Sequence, residues 1–141
     1  MAQGFPLPSL LVVAGGGLGA WLRYIVGLAA FWLFGAQQML PWATLFCNVA
    51  GSFAMGLLVG WLARAGTLGS LGGEETRLLL GVGVLGGFTT FSSFSLEFVS
   101  LVERGQIVTA AVYIAVSLAA GFTGLFAGLL LMRSLLMQGS A

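Results

Sequence analysis

The side chains of this sequence that could do chemistry are mostly neutral hydrogen-bond donors inside apolar segments. Thr44 and Asn48 are four residues apart, which places both on one face of a helix, and Ser52 continues that face. An asparagine amide supplies two N–H donors, and each hydroxyl group supplies one. Such a face can line a polar passage, or it can join neighbouring helices by hydrogen bonds.

Residues 86–95, with the sequence GGFTTFSSFS, form the most unusual segment of the chain. Glycine residues and residues with hydroxyl side chains disfavour a continuous helix, because glycine costs backbone entropy and hydroxyl groups compete for backbone hydrogen bonds. The segment therefore favours a helix with an unwound centre, where freed carbonyl oxygens could hold a cation. Phe88, Phe91 and Phe94 are spaced as on one face of an uninterrupted helix, so a continuous packing helix is the competing interpretation.

Two ionisable side chains also lie within apolar segments. Arg23 is central in the first segment, where a charge costs about 2.5–3.5 kcal/mol to insert, so a water-filled cavity or a partner is expected beside it. A positive charge at that depth suits an anion or an internal carboxylate. Glu97 lies late in the third segment, while Tyr113 and Ser117 share one face of the fourth at a four-residue spacing.

The composition of the whole chain restricts its class. Of its 141 residues, 59% are hydrophobic and only 6% are charged, whereas a soluble domain carries about 25% charged residues. We therefore interpret the chain as a small integral membrane protein. A net charge of +1 gives no basic face for nucleic acid, and the absence of histidine removes the commonest acid–base catalyst, so neither nucleic-acid binding nor enzymatic activity is expected.

Four apolar segments separated by short polar turns predict a single domain, residues 1–141, of four transmembrane helices. We place these helices over about 9–34, 42–63, 76–102 and 106–133, each long enough for the ~20 residues that cross a bilayer. The arginines flanking the spans favour the side of the termini by only three to one, so insertion in both orientations is compatible with the sequence. Each helix carries a glycine pair at four-residue spacing, which permits close backbone approach. The pairs are Gly15 with Gly19, Gly56 with Gly60, Gly83 with Gly87, and Gly124 with Gly128.

Three blocks of the sequence resemble signature blocks of the Fluc/CrcB fluoride channels. They are GGGLGAWLRY at residues 15–24, TLFCNVAGSFAMG at residues 44–56 and GVGVLGGFTTFSSFSLE at residues 81–97. The resemblance implies an all-α membrane protein whose four-helix subunits, with a broken third helix, form an antiparallel, dual-topology homodimer. It also implies passive export of fluoride through two pores per dimer, in the lipid bilayer of a bacterial inner (plasma) membrane.

The same resemblance implies roles for individual side chains. Asn48 would be the pore donor on the second helix, with Thr44 near a vestibule. Phe91 and Phe94 would contact fluoride, and Phe88 would serve in packing. Arg23 would lie toward the aqueous vestibule, while Tyr113 and Ser117 would line the pore.

The resemblance further implies a structural sodium ion on the two-fold axis of the dimer. The backbone carbonyls of Gly86 and Thr89, from both subunits, would enclose this ion. One position departs from the family pattern, because Gly121 stands where members often have a further serine on the fourth helix, four residues past Ser117. The polar track of this chain would then need another hydroxyl group or water at that level.

Two other functions fit parts of the pattern. A small dual-topology, proton-coupled exporter of the multidrug resistance type is also a four-span antiparallel dimer. Such exporters need a carboxylate in the first span, where this chain has Arg23, so Glu97 would be the sole candidate. A small assembly subunit would use the polar faces only to join helices. Fluoride efflux measured with and without a proton gradient separates a channel from an exporter.

Overall fold

The computed structural model describes residues 6–35, 40–64 and 71–138, and within these ranges the chain forms helices and no strand. The helices are α1 (Pro6–Phe34), α2 (Trp42–Arg64), α3 (three consecutive segments, Leu71–Thr76, Arg77–Leu85 and Gly86–Phe88), α4 (Phe91–Glu103) and α5 (Ile107–Gln138). Four stretches of the described chain are long and apolar enough to cross a membrane, with α3 and α4 together forming the third. The prediction of an all-α membrane protein with four spans is confirmed.

Several helix ends differ from the expected ones. The first helix begins at Pro6 instead of residue 9, and the third span is helical from Leu71 instead of residue 76. The last helix continues to Gln138, past the expected end at residue 133. The sequence prediction treated charged residues as ends of spans, but Arg77 and Arg133 are exposed side chains within helices. A long arginine side chain can extend toward water, so a charge does not by itself end a helix.

The glycine pairs of α1 and α3 pack directly against each other. A Cβ atom added to Gly83 would lie 2.9 Å from the Cα atom of Gly15, and one added to Gly19 would overlap the carbonyl oxygen of Val84. Gly87 is equally close to the backbone of α1. Because lipid supplies no hydrophobic drive for helix association, such close backbone contact is what holds two helices together in a membrane.

The glycine pairs of α2 and α5 form a second contact of the same kind. A Cβ atom on Gly56 would overlap the carbonyl oxygen of Leu125, and one on Gly128 would overlap the carbonyl oxygen of Phe53. The described part of the chain is therefore built from two glycine-packed helix pairs, α1 with α3 and α2 with α5.

A tight turn connects α4 to α5. Gly105, with a φ of +73°, ends α4, and the N–H group of Gln106 donates to the carbonyl of Leu101 at 2.9 Å. A glycine in this left-handed conformation is the common end of a helix. The turn returns α5 alongside α4, which brings Tyr113 next to Phe94, with 5.2 Å between their ring centroids.

The third span changes conformation twice before it reaches α4. Its residues Arg77–Leu85 are wound as a π-helix, a form often found near functional sites. Thr89 and Thr90 then have extended backbone, with φ and ψ of −85° and 157° at Thr89 and of −153° and 124° at Thr90. Helical hydrogen bonding is therefore interrupted between α3 and α4, in the middle of an apolar span.

Candidate functional site

Asn48 on α2 is bonded to the backbone of this interruption by two hydrogen bonds. The side-chain Nδ2 donates to the carbonyl oxygen of Thr90 at 3.0 Å, and the N–H group of Thr90 donates to Oδ1 at 2.8 Å. The amide thus replaces backbone bonds that an interrupted helix cannot make for itself. One N–H bond of the Asn48 amide remains for another acceptor.

Hydroxyl side chains satisfy the two helix ends at the interruption. The Thr90 hydroxyl accepts from the N–H group of Ser93 at 3.2 Å and so caps the start of α4. The Thr89 hydroxyl donates to the carbonyl of Leu85 at 2.8 Å. The first turn of α4 carries a partial positive charge, since its N–H groups are not paired within the helix.

A cavity of about 380 Å³ lies beside this joint. Its polar wall groups come from Asn48 and Ser52 on α2, Thr89 and Thr90 at the interruption, and Ser117 on α5. Phe91 and Phe94 also line it, whereas Phe88 lies beside Gly51, whose added Cβ would be 3.4 Å from the Phe88 ring. Among the described residues none that lines the cavity is charged, so its polar groups are neutral donors and acceptors in an otherwise apolar wall.

The two phenylalanine rings of the cavity differ in their surroundings. Phe94 packs against the buried core of Leu101, Ala110 and Tyr113. The ring of Phe91 is 5.9 Å from that of Phe94, centroid to centroid, but 79% of Phe91 is exposed on the surface of the single chain. Phe94 is thus held by the fold of one chain, while Phe91 stands at its edge.

Glu97 on α4 accepts hydrogen bonds from two other helices. Its Oε1 accepts from the Thr44 hydroxyl on α2 at 2.7 Å, and its Oε2 accepts from the Tyr113 hydroxyl on α5 at 2.7 Å. Thr44 and Tyr113 are both buried. Sequence reasoning gave Glu97 no such partners, because the three residues lie on three different helices and no spacing pattern connects them.

Glu97 also lines a second cavity, of about 270 Å³, together with Ser100 and Arg104. Tyr113 contacts Phe94, which lines the first cavity, and it donates to Glu97, which lines the second. The Glu97 cluster, defined as Thr44, Glu97 and Tyr113, therefore lies between the two cavities.

Two polar atoms are buried without a hydrogen-bond partner among the described residues. They are Nε of Arg23 and Oγ of Ser117. Ser117 lines the first cavity, whereas Arg23, half-buried on α1, lines neither of the two. Most buried polar groups are hydrogen-bonded, so these two atoms are exceptions within the described part of the chain.

The structure divides the residues selected from the sequence into three groups. Asn48, Phe91, Phe94 and Ser117 share the first cavity, Thr44 and Tyr113 are bonded to Glu97, and Arg23 lies apart. Gly86 and Thr89, chosen for their carbonyls, lie at the C-terminal end of α3, where carbonyl oxygens lack partners from a following helical turn. Among the described residues no group of three His, Cys, Asp or Glu side chains could bind a metal ion.

Four apolar spans, three of which line a cavity with neutral polar groups, define a multi-pass α-helical membrane protein of a kind suited to passing a solute. The model of the family described as "CrcB-like protein, Camphor Resistance (CrcB)" matches residues 10–129. The chain belongs to this CrcB family. The resemblance noted from three sequence blocks is thereby confirmed.

Curated relatives cover nearly the whole chain. It is 56% identical over 125 residues to the fluoride-specific ion channel FluC of Novosphingobium aromaticivorans, an alignment that spans 89% of this chain and 95% of the relative. The protein of the same name from Sphingopyxis alaskensis is 52% identical over 124 residues, or 88% and 94% of the two chains. The one from Rhodospirillum centenum is 53% identical over 126 residues, or 89% and 94%.

Proposed function

We propose that this protein is a fluoride channel that lets fluoride leave the cell passively. The observation that carries the proposal is the cavity lined by Asn48, Ser117, Phe91 and Phe94, with no charged residue among the described residues of its wall. The three relatives are named fluoride-specific ion channels, which supports fluoride as the ion. A channel makes and breaks no covalent bonds, so no enzymatic activity is proposed.

Fluoride is small and strongly hydrated, so a narrow pore must replace its water with other hydrogen-bond donors. The amide of Asn48 and the hydroxyl of Ser117 supply such donors. The edges of Phe91 and Phe94 are electropositive because of the ring quadrupole, and they attract an anion without a fixed positive charge. Several weak sites let the ion leave again, which conduction requires.

The residues that the resemblance assigns to the pore differ in whether their donor groups are already hydrogen-bonded within the chain. Asn48, Phe91, Phe94 and Ser117 all line the cavity, and the Ser117 hydroxyl has no hydrogen-bond partner among the described residues. The hydroxyls of Thr44 and Tyr113 are already donated to Glu97, so they reach fluoride only when those bonds open. Arg23 serves as the vestibule cation, which its unpartnered buried Nε supports, because a positive charge there raises the local anion concentration.

The proposal includes an antiparallel, dual-topology homodimer with two pores. Phe91 is 79% exposed, and Gly86 and Ser92 of the same third span are also exposed on the single chain. Interrupted backbone at membrane depth is tolerated only where it is buried in protein or lines water. A second copy of the chain would cover this broken third span, and the small charge bias of the flanking arginines is compatible with opposite orientations.

The proposal also includes a structural Na⁺ between the two copies, held by the carbonyls of Gly86 and Thr89. These carbonyls fit a hard cation, because the end of α3 leaves oxygens without helical partners. The bound ion would supply positive charge near the apolar centre of the dimer and so favour anions there. Fluoride flux and dimer stability measured in Na⁺ and in a large organic cation test this part, and no difference between them would exclude it.

The proton-coupled exporter is not favoured. The relatives are named as fluoride channels, and the first span has Arg23 in place of the carboxylate that proton exchange needs. The bacterial plasma membrane is the proposed location, since the relatives are bacterial proteins and the chain has four spans.

The test uses purified protein in liposomes loaded with potassium fluoride or potassium chloride, with valinomycin to carry the potassium. Fluoride efflux, followed by a fluoride electrode, should be far faster than chloride efflux and should not depend on a proton gradient. Equal rates for the two anions would exclude a selective fluoride channel. A rate that follows the proton gradient would indicate the exporter instead. Crosslinking of copies tagged on opposite faces should give antiparallel pairs, and strictly one-sided insertion would exclude dual topology.

A further inference from the structure

We infer that the Ser52 hydroxyl is a further fluoride ligand of this pore. It lies at the level of Gly121, where α5 carries no hydroxyl group. The inference rests on the proposed channel function. Ser52 and Gly121 both line the first cavity. A Cβ atom added to Gly121 would lie 3.8 Å from Oγ of Ser52, and no other atom of the neighbouring elements would be within 4 Å of it. The serine hydroxyl of α2 therefore faces the space that a side chain at position 121 would fill.

The register of the two helices extends the donor series by one turn. Ser52 follows Asn48 by four residues on α2, and Gly121 follows Ser117 by four residues on α5. Four residues advance a helix by about 6 Å. Asn48 and Ser117 thus supply donors at one level of the cavity, and Ser52 supplies the donor at the next.

The Ser52 hydroxyl is free to bind a ligand. Within the part of the chain that the structure describes, it takes part in no hydrogen bond, although a serine inside a helix commonly bonds a carbonyl of the preceding turn. Ser52 is half-buried, and its hydroxyl is accessible from the cavity. An unbonded hydroxyl of this kind is suited to replace one water molecule of a dehydrating anion.

Thr123 is the other hydroxyl close to Gly121 in sequence, and it does not fill the same role. It is exposed, and it does not line the first cavity. It lies two residues from Gly121, and residues two apart on a helix point in different directions. Thr123 is therefore the matched control for Ser52: a hydroxyl near the same level of the subunit, but outside the cavity.

The test compares the unmodified protein, Ser52→Ala, Thr123→Val and the double variant Ser52→Ala with Gly121→Ser, all in liposomes with a fluoride electrode. Ser52→Ala should reduce fluoride flux per protein by at least about tenfold, as expected for the loss of one hydrogen bond to a charged ligand. Thr123→Val should leave the flux unchanged. The double variant places a new hydroxyl group on the facing helix α5, and its flux should return to within about threefold of the unmodified rate. The effects of two substitutions that alter one binding site are not additive.

Each outcome has a distinct meaning. If the unmodified protein passes no fluoride, the proposed channel function fails. If it passes fluoride and Ser52→Ala passes it equally fast, the role of Ser52 is excluded. A double variant as slow as Ser52→Ala would overturn the inference as well. It would show that Ser52 is needed for the structure of α2, a role that a serine on α5 cannot replace. Alanine is the best helix former, and size-exclusion elution at the unmodified volume checks that each variant is folded.

Discussion

Asn48 and Thr90 are joined by two hydrogen bonds, of 3.0 and 2.8 Å, that connect α2 to the interruption of the third span. The side chain proposed as a pore donor is therefore also the one that satisfies the interrupted backbone. Loss of flux in an Asn48 variant is then ambiguous unless stability is measured beside it. Ser117, whose hydroxyl has no partner among the described residues, offers the comparison that separates the two effects.

Asn48→Ala should lower the stability of the folded protein as well as its fluoride flux. The substitution leaves the N–H and carbonyl groups of Thr90 unpaired, and each unpaired group costs about 1–3 kcal/mol. Thermal unfolding of the purified protein, followed by the fraction that still elutes as a single species, measures the loss. An unchanged melting temperature would show that the two bonds do not stabilise the interruption.

Ser117→Ala should reduce fluoride flux about tenfold without lowering stability. Its hydroxyl makes no hydrogen bond with the described residues, so its removal breaks no bond of the fold. Loss of an unsatisfied buried polar group is neutral or stabilising, whereas the loss of one donor to an anion costs about 1.5–3 kcal/mol. Parallel flux and melting measurements check both parts, and a lowered melting temperature with normal flux would assign Ser117 to the fold.

Phe91→Ile and Phe94→Ile should each slow fluoride by about two- to tenfold, as expected for the loss of one aromatic contact. Phe94→Ile should also destabilise the subunit, because this ring packs against Tyr113 at 5.2 Å. Phe126→Ile is the control, since Phe126 is exposed on α5 and lines neither cavity. Equal flux in all three variants would show that neither Phe91 nor Phe94 lies on the fluoride pathway.

Tyr113→Phe and Thr44→Val should show coupled effects on stability, because both hydroxyls donate to Glu97. Each single variant should lose about 1–3 kcal/mol, the usual cost of leaving a buried acceptor without its hydrogen bond. The double variant should differ from the sum by about 0.5 kcal/mol or more, since residues in one hydrogen-bond network are not additive. Strict additivity of the melting shifts would show that the two hydroxyls act independently.

Gly19→Ala should prevent correct packing, whereas Gly17→Ala on the same helix should be tolerated. A methyl group at position 19 overlaps backbone atoms of α3, which cannot move aside, while nothing lies within 4 Å of the same group at position 17. Overpacking costs about 1–3 kcal/mol or more, and alanine in an open position gains about 1 kcal/mol in helix propensity. The yield of monodisperse protein for the two variants checks this, and similar yields would contradict the packing of α1 on α3.

The sequence by itself determined the class of protein and the number of spans. Four segments of more than ~20 apolar residues and so few charges leave a multi-pass helical membrane protein as the simple solution. Helical spacing also placed Asn48 with Ser52, and Tyr113 with Ser117, on common faces. These predictions depend only on the bilayer thickness and on the period of the helix.

Only the tertiary structure decided which faces meet. Asn48 pairs with Thr90 across 42 positions of sequence and Thr44 with Glu97 across 53, and no local spacing specifies such partners. The helices are joined by glycine contacts that fix their depth relative to one another, and this depth sets Ser52 opposite Gly121. Periodicity describes the direction in which a side chain points around its own helix, whereas a binding site also requires the position of the neighbouring helix along its axis, which comes from packing.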